Sequence, residues 1–231
     1  MYAIALTSIP PRLARLGPVL ASLLSQDPAP ARVLLCLPPE WARYAGKAHL
    51  PVLPDGVEVI MAETDFGPAT KAIASSRALG GTNDRLIYCD DDWLMPPGWA
   101  SALLTAQRPG EAVAASGWSV DRLKRQSTAK PGCVDIAQGF SGVLVDPQWL
   151  AGQEIAPPPE ARAADDIWLS GQLARQGVAI RLAETARKGI TPAFDDAHAL
   201  QDAVIDGRGR HAANMACVET LTRRYGIWPA P

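Results

Sequence analysis

Leu86-Ile87-Tyr88-Cys89-Asp90-Asp91-Asp92 is the stretch on which the reading of this chain turns. Leu86 to Cys89 reads as a buried strand, too short for a helix and followed by polar residues and a proline-containing turn. Three consecutive carboxylates repel one another and lose solvation if buried unpaired. Folding alone gives no reason to place them at the lip of a core strand. A hard divalent cation does, because Mg²⁺ or Mn²⁺ takes oxygen ligands and bridges carboxylates to the phosphates of a substrate. In extended backbone Asp90 and Asp92 point one way and Asp91 the other, so the outer pair can address one ion or its phosphates. The bland alternative is a solvated acidic turn.

Just upstream, Asp65-Phe66-Gly67-Pro68-Ala69-Thr70-Lys71 combines a tight-turn signal with the start of a helix that runs to Gly80 and Gly81. Free backbone N–H groups near Thr70, with the charge of Lys71, can receive an anion there. An ordinary loop with an exposed lysine is the competing reading.

Further back, Ala3 to Leu6 reads as a first buried strand that enters the loop Thr7 to Arg12. Leu13, Leu16, Val19, Leu20, Leu23 and Leu24 recur at helical spacing, and Asp27-Pro28 stops that helix. Arg32 to Leu37 and Val57 to Met61 read as further strands, with a short helix and loop expected between Pro38 and Pro54. Strand, helix, strand implies a crossover onto a parallel sheet. No Gly-x-Gly-x-x-Gly follows the first strand and no Gly-x-x-x-x-Gly-Lys occurs, which argues against the usual dinucleotide fold and against a P-loop.

Downstream, a short helix should end near Ala106, and Glu111 to Ser119 contains a strand. The polar, aperiodic stretch Asp121 to Asp135 is expected to be a loop that could lie over a site. Gln138-Gly139-Phe140-Ser141-Gly142 leads into the apolar run Val143 to Val145, its glycines permitting close backbone approach to a ligand. Ala164-Asp165-Asp166-Ile167-Trp168-Leu169 opens another helix. Capping needs one of these aspartates, which leaves the other for a ligand or for proton abstraction. Val178 to Leu182 alternates as a strand. A polar tail from Thr191 to Arg210 holds Asp195, Asp196 and His198, and a last amphipathic helix follows, with Tyr225 and Trp228 docking on the body.

A chain of 231 residues can bury one sizeable core. A net charge of -2 argues against an extended nucleic-acid surface. The four cysteines are scattered, with no Cys-x-x-Cys, and read as reduced core residues. No leader and no membrane-spanning stretch is evident. The expected location is therefore the cytoplasm, with peripheral contact to the inner face of a membrane allowed through a partner or substrate.

Taken in order, Thr7 to Arg12, Gly67 to Lys71, Tyr88 to Trp93, Gln138 to Gly142 and Ala164 to Leu169 resemble the GT-A class of nucleotide-sugar glycosyltransferases, in particular its bacterial family-2-like members. The resemblance implies an α/β fold with a central, mostly parallel sheet flanked by helices, Rossmann-like, in one domain over residues 1–231. Residues 1–110 would form the nucleotide-sugar-binding half, and 111–231 the acceptor-binding half with the C-terminal helix. It also implies Mn²⁺ or Mg²⁺ held by Asp92, Asp90 and His198. Thr7, Ser8, Arg12, Asp65, Gly67, Thr70, Lys71, Asp90 and Asp91 would surround the nucleotide sugar, and Asp166, or Asp165, would be the base. The implied substrates are a nucleoside diphosphate sugar and a glycan or lipid-linked acceptor, with inversion at the transferred carbon. A nucleotidyltransferase acting on a sugar phosphate, or a carbohydrate-binding protein using the seven tryptophans, are the alternative readings.

Overall fold

The computed structural model describes residues 1–44, 49–194 and 209–231. In chain order the strands are β1 (Tyr2–Thr7), β2 (Arg32–Leu37), β3 (Val57–Met61), β4 (Arg85–Tyr88), β5 (Trp93–Leu94), β6 (Glu111–Ala114), β7 (Gly117–Trp118), β8 (Cys133–Val134), β9 (Ile136–Ala137), β10 (Val143–Val145), β11 (Ala179–Leu182) and β12 (Thr191–Pro192). The helices are α1 (Pro10–Leu13), α2 (Gly17–Leu24), α3 (Thr70–Ala78), α4 (Trp99–Ala106), α5 (Asp165–Arg175), α6 (Glu184–Arg187) and α7 (Arg210–Tyr225).

One eight-stranded sheet, in the order β3-β2-β1-β4-β10-β6-β11-β8, runs through both halves of the chain. β10 and β8 are antiparallel to their neighbours, and the remaining strands are parallel to one another. This is the expected mostly parallel α/β architecture. β1 shows why the sheet needs cover on both faces: Ala3, Ile4, Ala5 and Leu6 are all completely buried. Ala3 and Ala5 pack with Ile73, Leu169 and Leu221 on the side of α3, α5 and α7. Ile4 and Leu6 pack with Leu20, Trp99 and Leu103 on the side of α2 and α4. Four cysteines carry free thiols, three of them buried in these cores. No helix among the described residues is long and apolar enough to cross a membrane.

The topology brings distant segments to one edge. α3 leads into β4 and α5 leads into β11, two strands of the same direction, so both helix N-termini lie at the carboxyl edge of the sheet. β10 runs the other way, with Val143 opposite Tyr88. The segment preceding β10, Gly139 to Gly142, therefore arrives beside Asp90. In open α/β sheets the carboxyl edge is where ligands bind.

Several local expectations change. The leucine-rich stretch after β1 forms two helices instead of one, because Gly17 and Pro18 open the second; proline donates no N–H to continue a preceding turn. Among the described residues between Pro38 and Pro54 there is a turn and no helix. The predicted strand near Glu111 divides: β6 stays in the main sheet, and β7 leaves it to pair with β9. The loop 121–135 is tied down, since buried Asp135 accepts the N–H groups of Val120 (3.0 Å) and Thr128 (3.2 Å). The last helix and the buried Trp228 are as expected. Asp195, Asp196 and His198 lie outside the described residues.

Candidate active site

The acidic triplet leaves β4 with each aspartate committed differently. Asp91 is buried, turned back towards the loop after β1, where it accepts Ser8 Oγ (2.5 Å) and Arg12 Nη1 (2.5 Å). Arg12 Nη2 also reaches Asp92 Oδ2 at 3.2 Å. Burial raises the Asp91 pKa, and Arg12 and Ser8 oppose the rise. Ser8 and Arg12 thus hold Asp91 and Asp92, which the alternation of extended backbone had placed on opposite sides and which here share one guanidinium. Burial, then the neighbouring Asp90, pushes Asp92 up to about 7 despite Arg12.

Asp90 faces the other way, to Lys71 Nζ at 3.0 Å. Lys71 is 1 % exposed and also donates to Asp165 Oδ2 (2.6 Å) and to the carbonyl of Pro68 (3.1 Å). Two of its N–H donors are thus hydrogen-bonded, and Asp90 completes the contacts as an ion pair. Burial works against the ammonium charge, but Asp165, Asp90 and Asp166 outweigh it and hold the pKa well above the usual lysine value. The competing reading of an exposed lysine in an ordinary loop is corrected: Lys71 is a buried link between two acid clusters 94 residues apart in the chain.

At the start of α5 neither aspartate caps the helix: Ala164 occupies the cap position and no side chain caps it. Both acids stand in the first turn, where the helix dipole favours negative charge. Asp165 takes Lys71. Asp166 Oδ1 accepts the N–H of Gly139 at 2.8 Å. Burial, then Asp165 and Asp90, raise its pKa to about 7. Gly139 is small for a reason: a Cβ there would sit 3.2 Å from Asp166 Oδ1 and Lys71 Cε, and 3.4 Å from Asp90 Oδ1. Three residues on, Gly142 has φ +99, and a Cβ would lie 2.3 Å from Trp99 Cζ2. The Trp99 indole N–H donates to Ser141 O at 2.7 Å and fixes this segment against α4.

Lys71 and the aspartates at 90–92, 165 and 166 line one cavity of about 400 Å³, which also takes in Thr7, Ser8, Arg12, Asp65 and Gly67. Asp65 accepts the N–H groups of Ala42 (2.8 Å) and Gly67 (2.7 Å), joining the loop after β2 to the turn before α3. Thr70 departs from expectation: it is fully buried, and its hydroxyl accepts the N–H of Phe66 (3.2 Å), so it shapes the turn and does not line the cavity.

Sequence reasoning missed the aromatic and arginine walls. Trp41 lines the cavity and donates its indole N–H to Ser8 O at 2.9 Å. Trp93 and Phe140 lie with ring centroids 4.9 Å apart, and the Arg187 guanidinium sits 4.9 Å from Phe140 and 5.5 Å from Trp93. Trp93 directly follows the acidic triplet, which was a usable signal. Arg187 ends a four-residue helix without a pattern, and nothing in the sequence marked it.

Asp92 and Asp90 are the candidate ligands for a divalent cation. Asp92 Oδ1 is buried with no hydrogen-bond partner among the described residues, an oxygen left for a cation. Asp90 keeps about a third of its side chain exposed. Among the described residues no group of three or more His, Cys, Asp or Glu is arranged to hold a metal ion. Mg²⁺-type ions are commonly held by one or two carboxylates plus phosphates and water, and Asp92 with Asp90 fits that pattern.

No protein-family profile matches the chain, and no curated protein matches it. Among solved structures, the galactosyltransferase LgtC, crystallised with donor and acceptor sugar analogues, is similar at 15 % identity with a TM-score of 0.42. The match covers 64 % of this chain and 58 % of LgtC, so it spans less than two thirds of that enzyme's length. It assigns no residue here a role.

Proposed function

We propose that this chain transfers a glycosyl group from a nucleoside diphosphate sugar to a hydroxyl of a glycan or lipid-linked acceptor, with inversion. One observation supports the reading above the others: the acids leaving β4 and the acids opening α5 share one aromatic-walled cavity and are joined there by buried Lys71. Its volume falls within the range of small-molecule sites, roughly 300–1,000 Å³.

In the reaction, the acceptor oxygen bonds to the anomeric carbon as the bond from that carbon to the diphosphate oxygen breaks. The diphosphate leaves with the electron pair, and the acceptor proton passes to Asp166. Asp166 is suited to this because a base is most effective with a pKa near the working pH, and burial beside Asp165 and Asp90 brings it to about 7. Lys71 holds Asp165 and Asp90 at a fixed spacing, and the Gly139 N–H orients the Asp166 carboxylate. Trp41, Trp93 and Phe140 offer ring faces to the base and the sugar, and Arg187 offers a cation to a phosphate. A divalent cation, when bound by Asp92 and Asp90, supplies charge neutralisation for the leaving diphosphate.

A melting-temperature screen of UDP-, GDP-, CMP- and dTDP-sugars, with and without Mn²⁺, tests the reading. One nucleotide is expected to stabilise the chain in a metal-dependent way, by about 2.7 kcal/mol at a concentration about 100-fold above Kd. Asp92→Ala should abolish the metal dependence. Absence of a shift with every nucleotide would contradict the assignment.

A further inference from the structure

A second cavity of about 310 Å³ adjoins the first, and Gln138, Asp166 and Arg210 line both. Asp166 thus stands where two concave spaces meet. The far space is bounded by Trp118 of β7, by Arg122 in the turn after it, and by His211 and Asn214 on α7. Its character differs from that of the first cavity. Asp166 is the one acid among its described lining residues, against two arginines and a histidine. The Arg122 guanidinium lies 5.9 Å from the Trp118 ring centroid. Neither Arg122 nor Arg210 meets a carboxylate within ion-pair distance among the described residues.

We propose that this second cavity binds the acceptor, and that the acceptor is a saccharide carrying an anionic group, either a carboxylate or a phosphate. The inference rests on the glycosyl-transfer reading and adds the acceptor's chemical class to it. Planar guanidinium groups match carboxylate and phosphate oxygens in a two-point contact, which an uncharged sugar does not offer. Arg122 and Arg210 are presented for such a contact, with no carboxylate among the described residues at ion-pair distance. Trp118 provides an apolar face for the C–H side of a sugar ring, and Asn214 and Gln138 provide amides for its hydroxyls. An acceptor seated there extends a hydroxyl to where the two cavities meet at Asp166. At that junction its oxygen can bond to the anomeric carbon of a donor sugar in the first cavity as the diphosphate leaves and the proton passes to Asp166.

The test is an array of neutral, uronate-bearing and phosphorylated saccharides, probed with the labelled full chain and with Arg122→Gln. Nucleotide-sugar melting shifts of both proteins are measured in parallel. Binding is expected on anionic saccharides only, falling about tenfold in Arg122→Gln, the loss of one charged contact. Uronate hits against phosphate hits tell which anion is read. Hits confined to neutral saccharides, no hits, or anionic hits unchanged by Arg122→Gln would overturn the proposal. Loss of the nucleotide-sugar shift in Arg122→Gln would also overturn it, because Arg122 would then serve the first cavity. A wild-type chain with no nucleotide-sugar shift would instead overturn the transfer reading itself.

Discussion

Replacing Lys71 with methionine is expected to lower the stability of the folded chain by about 3–5 kcal/mol at neutral pH, the cost of leaving buried charge uncompensated. Methionine fills much of the volume of the lysine stem, so the loss reports charge more than packing. The removed ammonium sits 2.6 Å from Asp165 and 3.0 Å from Asp90, at a site almost without solvent. Because the folded lysine pKa is raised above 10.5, its contribution is complete below that value and is lost only as pH rises through the folded pKa. The wild type therefore holds the full benefit at pH 7. Urea denaturation of both proteins at pH 7 measures this. A deficit under about 1 kcal/mol at neutral pH would place the lysine among ordinary surface pairs.

Asp166→Asn is expected to separate stability from activity. Asparagine keeps an Oδ1 that can accept the Gly139 N–H but cannot take a proton, so kcat for transfer should fall by about 10²–10⁴-fold. The same change should raise the melting temperature. Asp166 has a folded pKa near 7 against an ordinary 3.8, so the fold prefers its neutral form. The stability that this preference contributes is complete below 3.8 and is lost as pH rises from there to about 7. Above pH 7 the ionised carboxylate is a net cost, and the neutral amide removes it. With no cation bound, the gain should be about 1–3 kcal/mol above pH 7 and should vanish below about pH 4. Wild-type kcat/KM should climb with pH up to about 7 as the base ionises. A variant whose kcat stays within about threefold, with its fold intact, would remove Asp166 from the base role.

How much of this was legible from sequence follows from the range of each interaction. The β4 strand and its acids were visible because an apolar run that ends in three carboxylates conflicts with folding alone. The start of α3 at the sheet edge that holds the site was equally visible, since strand-helix-strand order in a parallel sheet commits it to the carboxyl ends of the strands, whereas α5 follows the antiparallel β10 and carries no such signal. The work of Lys71 was not visible. Next to Pro68 and Thr70 it looks like a cation at a helix start, and only the fold brings Asp165 to it across 94 residues. The capping assignment at Asp165 and Asp166 failed for a similar reason: local preference favours an acidic cap, but Lys71 and Gly139 occupy these side chains and Ala164 takes the cap position. The division of the first long helix was written in Gly17-Pro18, which the leucine periodicity obscured. Arg187 stacked on Phe140 and Trp93 joins three segments with no pattern linking them.

The central claim is that this cavity cleaves a nucleotide sugar between the sugar and the diphosphate. The most direct measurement is to incubate the chain with the stabilising nucleotide sugar, Mn²⁺ and a mixture of uronate-bearing and phosphorylated saccharides, and to identify the nucleotide released. Release of nucleoside diphosphate, matched by a saccharide heavier by one sugar and abolished in Asp166→Asn, is the predicted result. Release of pyrophosphate with transfer of a nucleotidyl group, or no turnover of any nucleotide sugar, would contradict it.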